Sequence, residues 1–237
     1  MVTNSEIKRL LRTKNGRSKN YSGIDLKNAD LREVDFSGAN LQNANFQGAN
    51  LIRSNFTGAN LEFSNLQEVR ALFIKLTSAK ATSVNFTDSD LSHGELEGII
   101  LTKAVLIGAE LVESNLKYAT CIECDFSYAN LSGVNMAEAT LKGSKFRNAN
   151  LSFAVFQNAD LENARMQKSI LSYVNFKSAN LHNADLTGVE CFSSDFSSAN
   201  LENTNFSTAI CKDTELSSAV IKGTILKNAR FNDIELK

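Results

Sequence analysis

Apolar residues recur at every fifth position from Leu26 to Leu236 without a break in phase. Of the 43 positions on this grid, 35 are Leu or Phe, and the others are Ala71, Ala81, Cys121, Met136, Met166, Cys191, Cys211 and Ile221. Two residues before each grid position stands a small or β-branched residue, as at Ala29, Ala39, Ala49, Ala109, Ala159 and Ala199. A period of five suits neither a helix, which needs apolar spacing of three to four, nor a strand, which needs two. Along a strand, a grid residue and the small residue two before it face the same way. Five is odd, so a straight chain would turn the next grid residue outward and build an exposed stripe of Leu and Phe. The chain must therefore bend once per repeat. Gly38, Gly48, Gly58, Gly98, Gly108 and Gly188 lie two after a grid residue, where a turn needing positive φ wants glycine. Asn and Asp dominate the slot just before the grid residue (Asn40, Asn50, Asn60, Asn130, Asn150, Asp160, Asn180, Asn200), and their short side chains can bond backbone groups at a corner.

The number of corners per coil follows from phenylalanine. Eleven of the 15 Phe are on the grid, and ten of those have numbers ending in six, while numbers ending in one are mostly Leu. If like stacks on like, the coil has an even number of faces. Two faces make a flat sandwich and six leave a hollow centre, so four fill the interior to dense packing. A twenty-residue coil gives about eleven coils over residues 21–237, in a stack roughly 50 Å long at ~4.8 Å per coil. The expected fold class is an all-β solenoid.

The strings ADLREVDFSGANLQNANFQGANL and SANLHNADL resemble the A(D/N)LXX consensus of the pentapeptide repeat family. The resemblance covers residues 21–237 and implies a right-handed quadrilateral β-helix without enzymatic activity. It also implies two functional classes. Some members mimic the shape and acidic charge of duplex DNA and act on DNA gyrase. The length, unbroken register and short N-terminal cap here also resemble a cyanobacterial member linked to heterocyst differentiation, which implies a protein partner such as a transcriptional regulator.

Residues 1–20 differ from the repeat and form an expected helical cap on the β-helix of residues 21–237. Thr3-Asn4-Ser5-Glu6 reads as a capping box opening a helix to about Thr13, with Ile7, Leu10 and Leu11 on one face and Gly16 as its stop. Lys8, Arg9, Arg12, Lys14, Arg17 and Lys19 against Glu6 give this segment +5, so the whole-chain charge of −1 leaves the solenoid at −6. The basic residues read as a solvated helix face rather than a nucleic-acid-binding arm. The chain stops on the grid at Leu236-Lys237 with no matching cap, so the last coil is expected to be open and a contact for a homodimer.

Composition narrows the picture further. There is no Pro, as befits a chain whose amides are needed in a ladder, and no Trp. No stretch has the length of a membrane-spanning helix and the N-terminus lacks a signal core, so a cytoplasmic location is expected. Cys121 and Cys124 echo a CxxC pair, but no second pair or His cluster completes a zinc site. All four Cys fall in inward slots and read as buried free thiols acting as small hydrophobes, which suits a reducing compartment. His93 and His182 face outward with no triad spacing, the carboxylates form no paired cleft, and a solid core leaves no pocket. The expectation is no enzyme, no catalytic residue, no cofactor and no metal.

Specificity must then lie in outward residues that break the polar rule. Ile52, Leu72, Phe73, Val112, Phe153, Tyr173 and Phe192 share two outward slots on one face. They are either scattered apolar surface or a stripe with aromatic anchors for a protein partner. Residues 66–84 depart most from the consensus: Ala71 and Ala81 underfill the core, while Arg70, Lys75 and Lys80 replace Asn or Asp close to Phe63 and Phe73. Drift within a tolerant repeat and a local docking site both fit. A DNA mimic is the alternative function, but −6 over ~50 Å is sparse beside the one charge per ~1.7 Å of duplex DNA. Direct binding of nucleic acid is not expected, because the solenoid is not basic. The preferred reading is a non-catalytic regulatory module that binds a protein partner.

Overall fold

The computed structural model describes residues 3–231, so Leu236 and Lys237, on which the open last coil was expected to end, lie outside the described residues. The chain opens with a short helix, α1 (Asn4–Thr13). The Glu6 backbone N–H donates to the Thr3 hydroxyl at 3.3 Å and the Thr3 backbone N–H donates to the Glu6 carboxylate at 2.8 Å, closing the capping box. Bonds donated to it by the Thr3 backbone N–H and hydroxyl hold the Glu6 carboxyl below its ordinary range. Gly16 does not stop the helix. Lys14 takes the left-handed cap position instead, at φ 53°, its N–H bonding Leu10 O. Gly16 serves a close approach: a β-carbon there would lie 2.5 Å from Phe36 Cδ1 and 3.1 Å from Leu10 Cδ1. Leu10 is fully buried and Ile7 packs partly against the core, but Leu11 is exposed rather than on the covered face.

Beyond the helix, parallel bridges join each outward pre-grid residue to the one twenty residues later, from Asn15↔Asp35 to Asn205↔Ile225. Four pentapeptides therefore make one coil, and the ladder starts N-terminal to residue 21. Ile210–Cys211 and Arg230–Phe231 widen the pairing to two-residue strands. One repeat shows why the sequence needs this geometry. Leu41 N–H bonds Asn60 O, Asn43 N–H bonds Glu62 O, Ala44 N–H bonds Leu41 O across the turn, and Asn45 N–H bonds Ile24 O. The remaining amide, of Gln42, bonds the Asn40 side-chain Oδ1 at 3.2 Å. All five amides are used, which accounts for both the Asn/Asp slot and the absence of Pro.

The residue two after each grid position is left-handed in nearly every repeat, and glycine has no monopoly on it. Glu33, Asn43, Phe63, Lys103 and Tyr173 all sit near φ 60°. A side chain in this conformation costs roughly 1 kcal/mol. The turn bond and the ladder bond of the same corner, Ala44 N–H to Leu41 O and Asn43 N–H to Glu62 O, offset it.

Inside, phenylalanines with numbers ending in six occupy two opposite faces. Within a face they stack on successive coils: Phe126 on Phe146 with ring centroids 5.0 Å apart, and Phe156 on Phe176 on Phe196 at 5.2 and 4.8 Å. Across the core they meet edge to face, as Phe146 does Phe156 at 6.0 Å and Phe196 does Phe206 at 5.8 Å. In the 66–84 segment the small grid residues Ala71 and Ala81 are fully buried, as are Val69, Ile74 and Val84, which are bulkier than the usual alanine of their slot. The thiol expectation needs correction. Cys191 and Cys211, stacked one coil apart with Cα atoms 4.6 Å apart, are joined by a disulfide, and only Cys121 and Cys124 are free. The bond withdraws the support that four free thiols lent to a reducing compartment.

Candidate protein-interaction surface

With the grid side chains of the described residues turned inward, the outer surface consists of corners and of the bridge residues between them. A side chain twenty residues on lies directly below, so one corner gathers residues 52–53, 72–73, 92–93, 112–113, 132–133, 152–153, 172–173 and 192–193. Ile52, Leu72, Val112 and Phe192 are half-buried on it, while Phe73, Phe153 and Tyr173 are exposed. The sequence-predicted stripe thus shares one corner. Phe63 does not: it is ten residues from Phe73, half a coil away, on the opposite side of the rod. Arg70, Lys75 and Lys80 are exposed on three successive sides of one coil, ringing it as their five-residue spacing implies, and Lys75 pairs with Glu95 at 3.3 Å.

The stripe has two unlike halves. In the first, the Arg53 guanidinium lies over the Phe73 ring, 5.8 Å from its centroid, and Phe73 stacks on His93 at 5.1 Å. His93 Nδ1 is in turn 3.4 Å from a Glu113 carboxylate oxygen. Phe73 is therefore held in a ladder that uses its faces internally. In the second half Phe153 and Tyr173 stack on each other, centroids 5.0 Å apart and planes 2° apart, at 60 and 57 % exposure. Gly133 stands above them and Ser193 below, so no further ring or charge continues the stack.

Around this pair the surface is short of charge. Asn130, Ser132, Asn150, Ser152, Ser172, Asn175 and Ser193 are among its polar members, with Glu190 and Asp195 at its lower edge. Ile170 and Ile210 join it on the adjoining side, exposed in the slot that Asn or Asp usually holds. The sequence stripe does not single out these two, nor the exposed Tyr118 and Tyr128. Their signal is local: an apolar residue where a corner wants Asx, or an aromatic in the left-handed slot.

Groups that could do chemistry are occupied elsewhere. Asp30 accepts two bonds from the Arg32 guanidinium, at 2.8 and 2.7 Å, and its carboxyl is driven far below the ordinary range. Cys124 Sγ donates to Leu101 O, and hydrogen bonding with Cys124 together with burial pushes the Cys121 thiol well above its ordinary value. Such a thiol is not a nucleophile near neutral pH. Among the described residues no three His, Cys, Asp or Glu are grouped to hold a metal, and no helix is long and apolar enough to cross a membrane.

The profile described as Pentapeptide repeats matches residues 22–58, 35–70, 54–92, 82–117, 114–152, 149–188 and 194–233. No curated protein matches the chain. Among solved structures the chain is similar to HetL, a pentapeptide repeat protein involved in heterocyst differentiation regulation from the cyanobacterium Nostoc sp. strain PCC 7120. The identity is 26 % over 98 % of each chain, with a TM-score of 0.48. It is also similar to a trypsin-treated form of QnrB1, a plasmid-mediated fluoroquinolone resistance protein. There the identity is 20 % over 67 % of this chain and 85 % of that one, with a TM-score of 0.53, a likeness of fold.

Proposed function

The chain belongs to the pentapeptide repeat family, whose fold is the right-handed quadrilateral β-helix, and from that premise we propose that it is a non-catalytic scaffold that regulates a protein partner by binding it. The observation that carries this is the Phe153–Tyr173 stack, two large rings exposed at a corner that could hold Asn or Gly at lower backbone cost. Aromatic anchors in charge-poor surroundings are what protein interfaces concentrate. The rigid rod loses little entropy on docking, because its backbone amides are already bonded coil to coil. Regulation of heterocyst differentiation, the role described for HetL, is one process such a scaffold could serve.

The test is affinity capture from the native organism with the full chain and with a Phe153→Asn/Tyr173→Asn variant. Asn occupies the same left-handed slot at Asn43, Asn148, Asn163 and Asn183, so the variant should keep its fold. Expected is one stoichiometric partner held by the wild type and lost by the variant. Equal capture by both would reject this corner. Stoichiometric inhibition of gyrase supercoiling, unaffected by the variant, would favour a DNA mimic instead.

A further inference from the structure

One side of the rod carries charges that complement their own order read backwards. Its middle coil runs from Tyr128 through Asn130 to Ser132, and residues twenty apart stack above and below these. Toward the N-terminal end stand Arg70, then Asp88 and Asp90, then Glu110, and toward the C-terminal end stand Lys168 and Glu190. The bridges Arg70↔Asp90, Asp90↔Glu110 and Ile170↔Glu190 fix their heights. Among the described residues none of these charges is in an ion pair. Asp90 accepts from the Ser92 backbone N–H at 3.1 Å and Glu110 from the Asn130 side-chain amide at 2.8 Å. Asp90 and Glu110 oppose each other across one bridge, an arrangement of like charges that favours a cation from outside. The same side exposes Tyr128, Ile170 and Ile210, with Leu72 and Phe192 half-buried along its edge.

We propose that this side is the contact between two copies of the chain, packed antiparallel about a two-fold axis through the coil of Tyr128. A two-fold contact is self-complementary, so a residue above the axis meets the residue as many coils below it in the other copy. Three coils out, Arg70 of one copy meets Glu190 of the other, and Leu72 meets Phe192. Two coils out, Asp88 meets Lys168. One coil out, Glu110 meets the Asn150 amide, and at the axis the exposed Tyr128 meets its own copy. From Asn50 to Ile210 no like charges oppose each other in this register. Moving the axis half a coil toward the C-terminal end sets Asp90 on Glu190, and a whole coil sets Glu110 on Glu190. A parallel pair sets Asp90 on Asp90 and Glu110 on Glu110. Repulsion therefore selects against all three alternatives. The area suffices as well. Nine coils ~4.8 Å apart and a side of five residues at up to ~3.3 Å each give roughly 600 Å² per copy, so the total clears the ~1,000 Å² expected of a specific interface. Phe153 and Tyr173, on the corner beyond Ser152 and Ser172, lie at the edge of this contact rather than in its centre.

Sedimentation equilibrium of the full chain measures the self-association, with each variant checked for fold by circular dichroism. Expected is a micromolar wild-type dimer that Arg70→Glu and Glu190→Arg each weaken about 10-fold or more, because either change places like charges together twice per dimer. The double variant Arg70→Glu/Glu190→Arg should recover the wild-type affinity, which general damage to the rod would not allow. Phe153→Asn/Tyr173→Asn should keep the dimer, so the outcome is separate from capture of a partner at the ring corner. A wild-type monomer at every concentration would overturn the contact. A dimer indifferent to both single variants would overturn it in favour of another surface, and a dimer lost only with the rings would move it to their corner. A wild-type monomer that captures a different protein from a lysate, released by Arg70→Glu, would overturn it in favour of a foreign partner on this side.

Discussion

Tyr173 lies flat on Phe153 one coil away, ring planes 2° apart, and both residues hold left-handed backbones at φ 61° and 62°. The rings touch each other and solvent, not the core. Replacing both by Asn should leave the urea-unfolding free energy within about 1 kcal/mol of wild type, since Asn tolerates this conformation and lost stacking is worth about that much. A loss of several kcal/mol would show that the pair is part of the fold rather than a surface for something else.

Phe156 is the contrasting case, fully buried between Phe146 and Phe176. Phe156→Ala should lower stability by roughly 3–5 kcal/mol, because a rod of stacked rings cannot collapse around the gap. Equilibrium denaturation measures it, and a cost below that of the surface double variant would contradict the packing described.

Gly16 gives a test of the cap. A methyl group there meets the Phe36 ring, which is itself locked between Tyr21 and Phe56 at 5.8 and 5.1 Å. Gly16→Ala should cost about 1–3 kcal/mol by overpacking. Amide hydrogen exchange should localise the loosening to α1 and the first coil; a change confined to later coils would argue against the contact.

Thiol counting tests the cysteine arrangement. Native protein should be inert to a thiol reagent at pH 8, because Cys121 and Cys124 are buried and the Cys121 thiol is held protonated. Unfolded without reductant it should show two thiols, and with reductant four, given the Cys191–Cys211 bond. Four thiols before reduction would mean that the pair is not bonded.

Asp125 should leave a mark on acid stability. Burial opposes its charge, but the bonds from Ser127 and Lys145 outweigh burial and hold its carboxyl below the ordinary value. The folded state therefore binds this proton less readily than the unfolded chain. Its stabilisation is complete above the unfolded carboxylate pKa near ~4 and is lost as pH falls through the lower folded value. Asp125→Asn, which keeps the corner acceptor, should flatten the fall in melting temperature between roughly pH 4 and pH 2. An unchanged slope would show that Asp125 has no part in it.

Much of the architecture is legible one repeat at a time. The five-residue beat, the inward pairing of Leu41 with Ala39, the Asn40 acceptor and the ten-residue alternation of Phe36, Phe46 and Phe56 are local facts. Each repeat must meet the same steric and hydrogen-bonding demands on its own. The free choice of non-glycine residues in the left-handed slot is not legible, because one of the two bonds that offset its cost, such as Asn43 N–H to Glu62 O, comes from the next coil. For the same reason a glycine such as Gly16 reads as a helix stop until Phe36 is seen against it, one coil on.

By itself the sequence determined a four-sided rod with a Leu and Phe interior and a capped start, since a strict period leaves one way to bury every grid residue. Only the tertiary structure decided how the residues that the coil brings together engage one another. It joined Cys191 to Cys211, set Phe73 between Arg53 and His93, separated Phe63 from Phe73, and left Phe153 and Tyr173 stacked and open to solvent. Those relations span one coil or half a coil, and residues twenty apart become neighbours only when the coil closes.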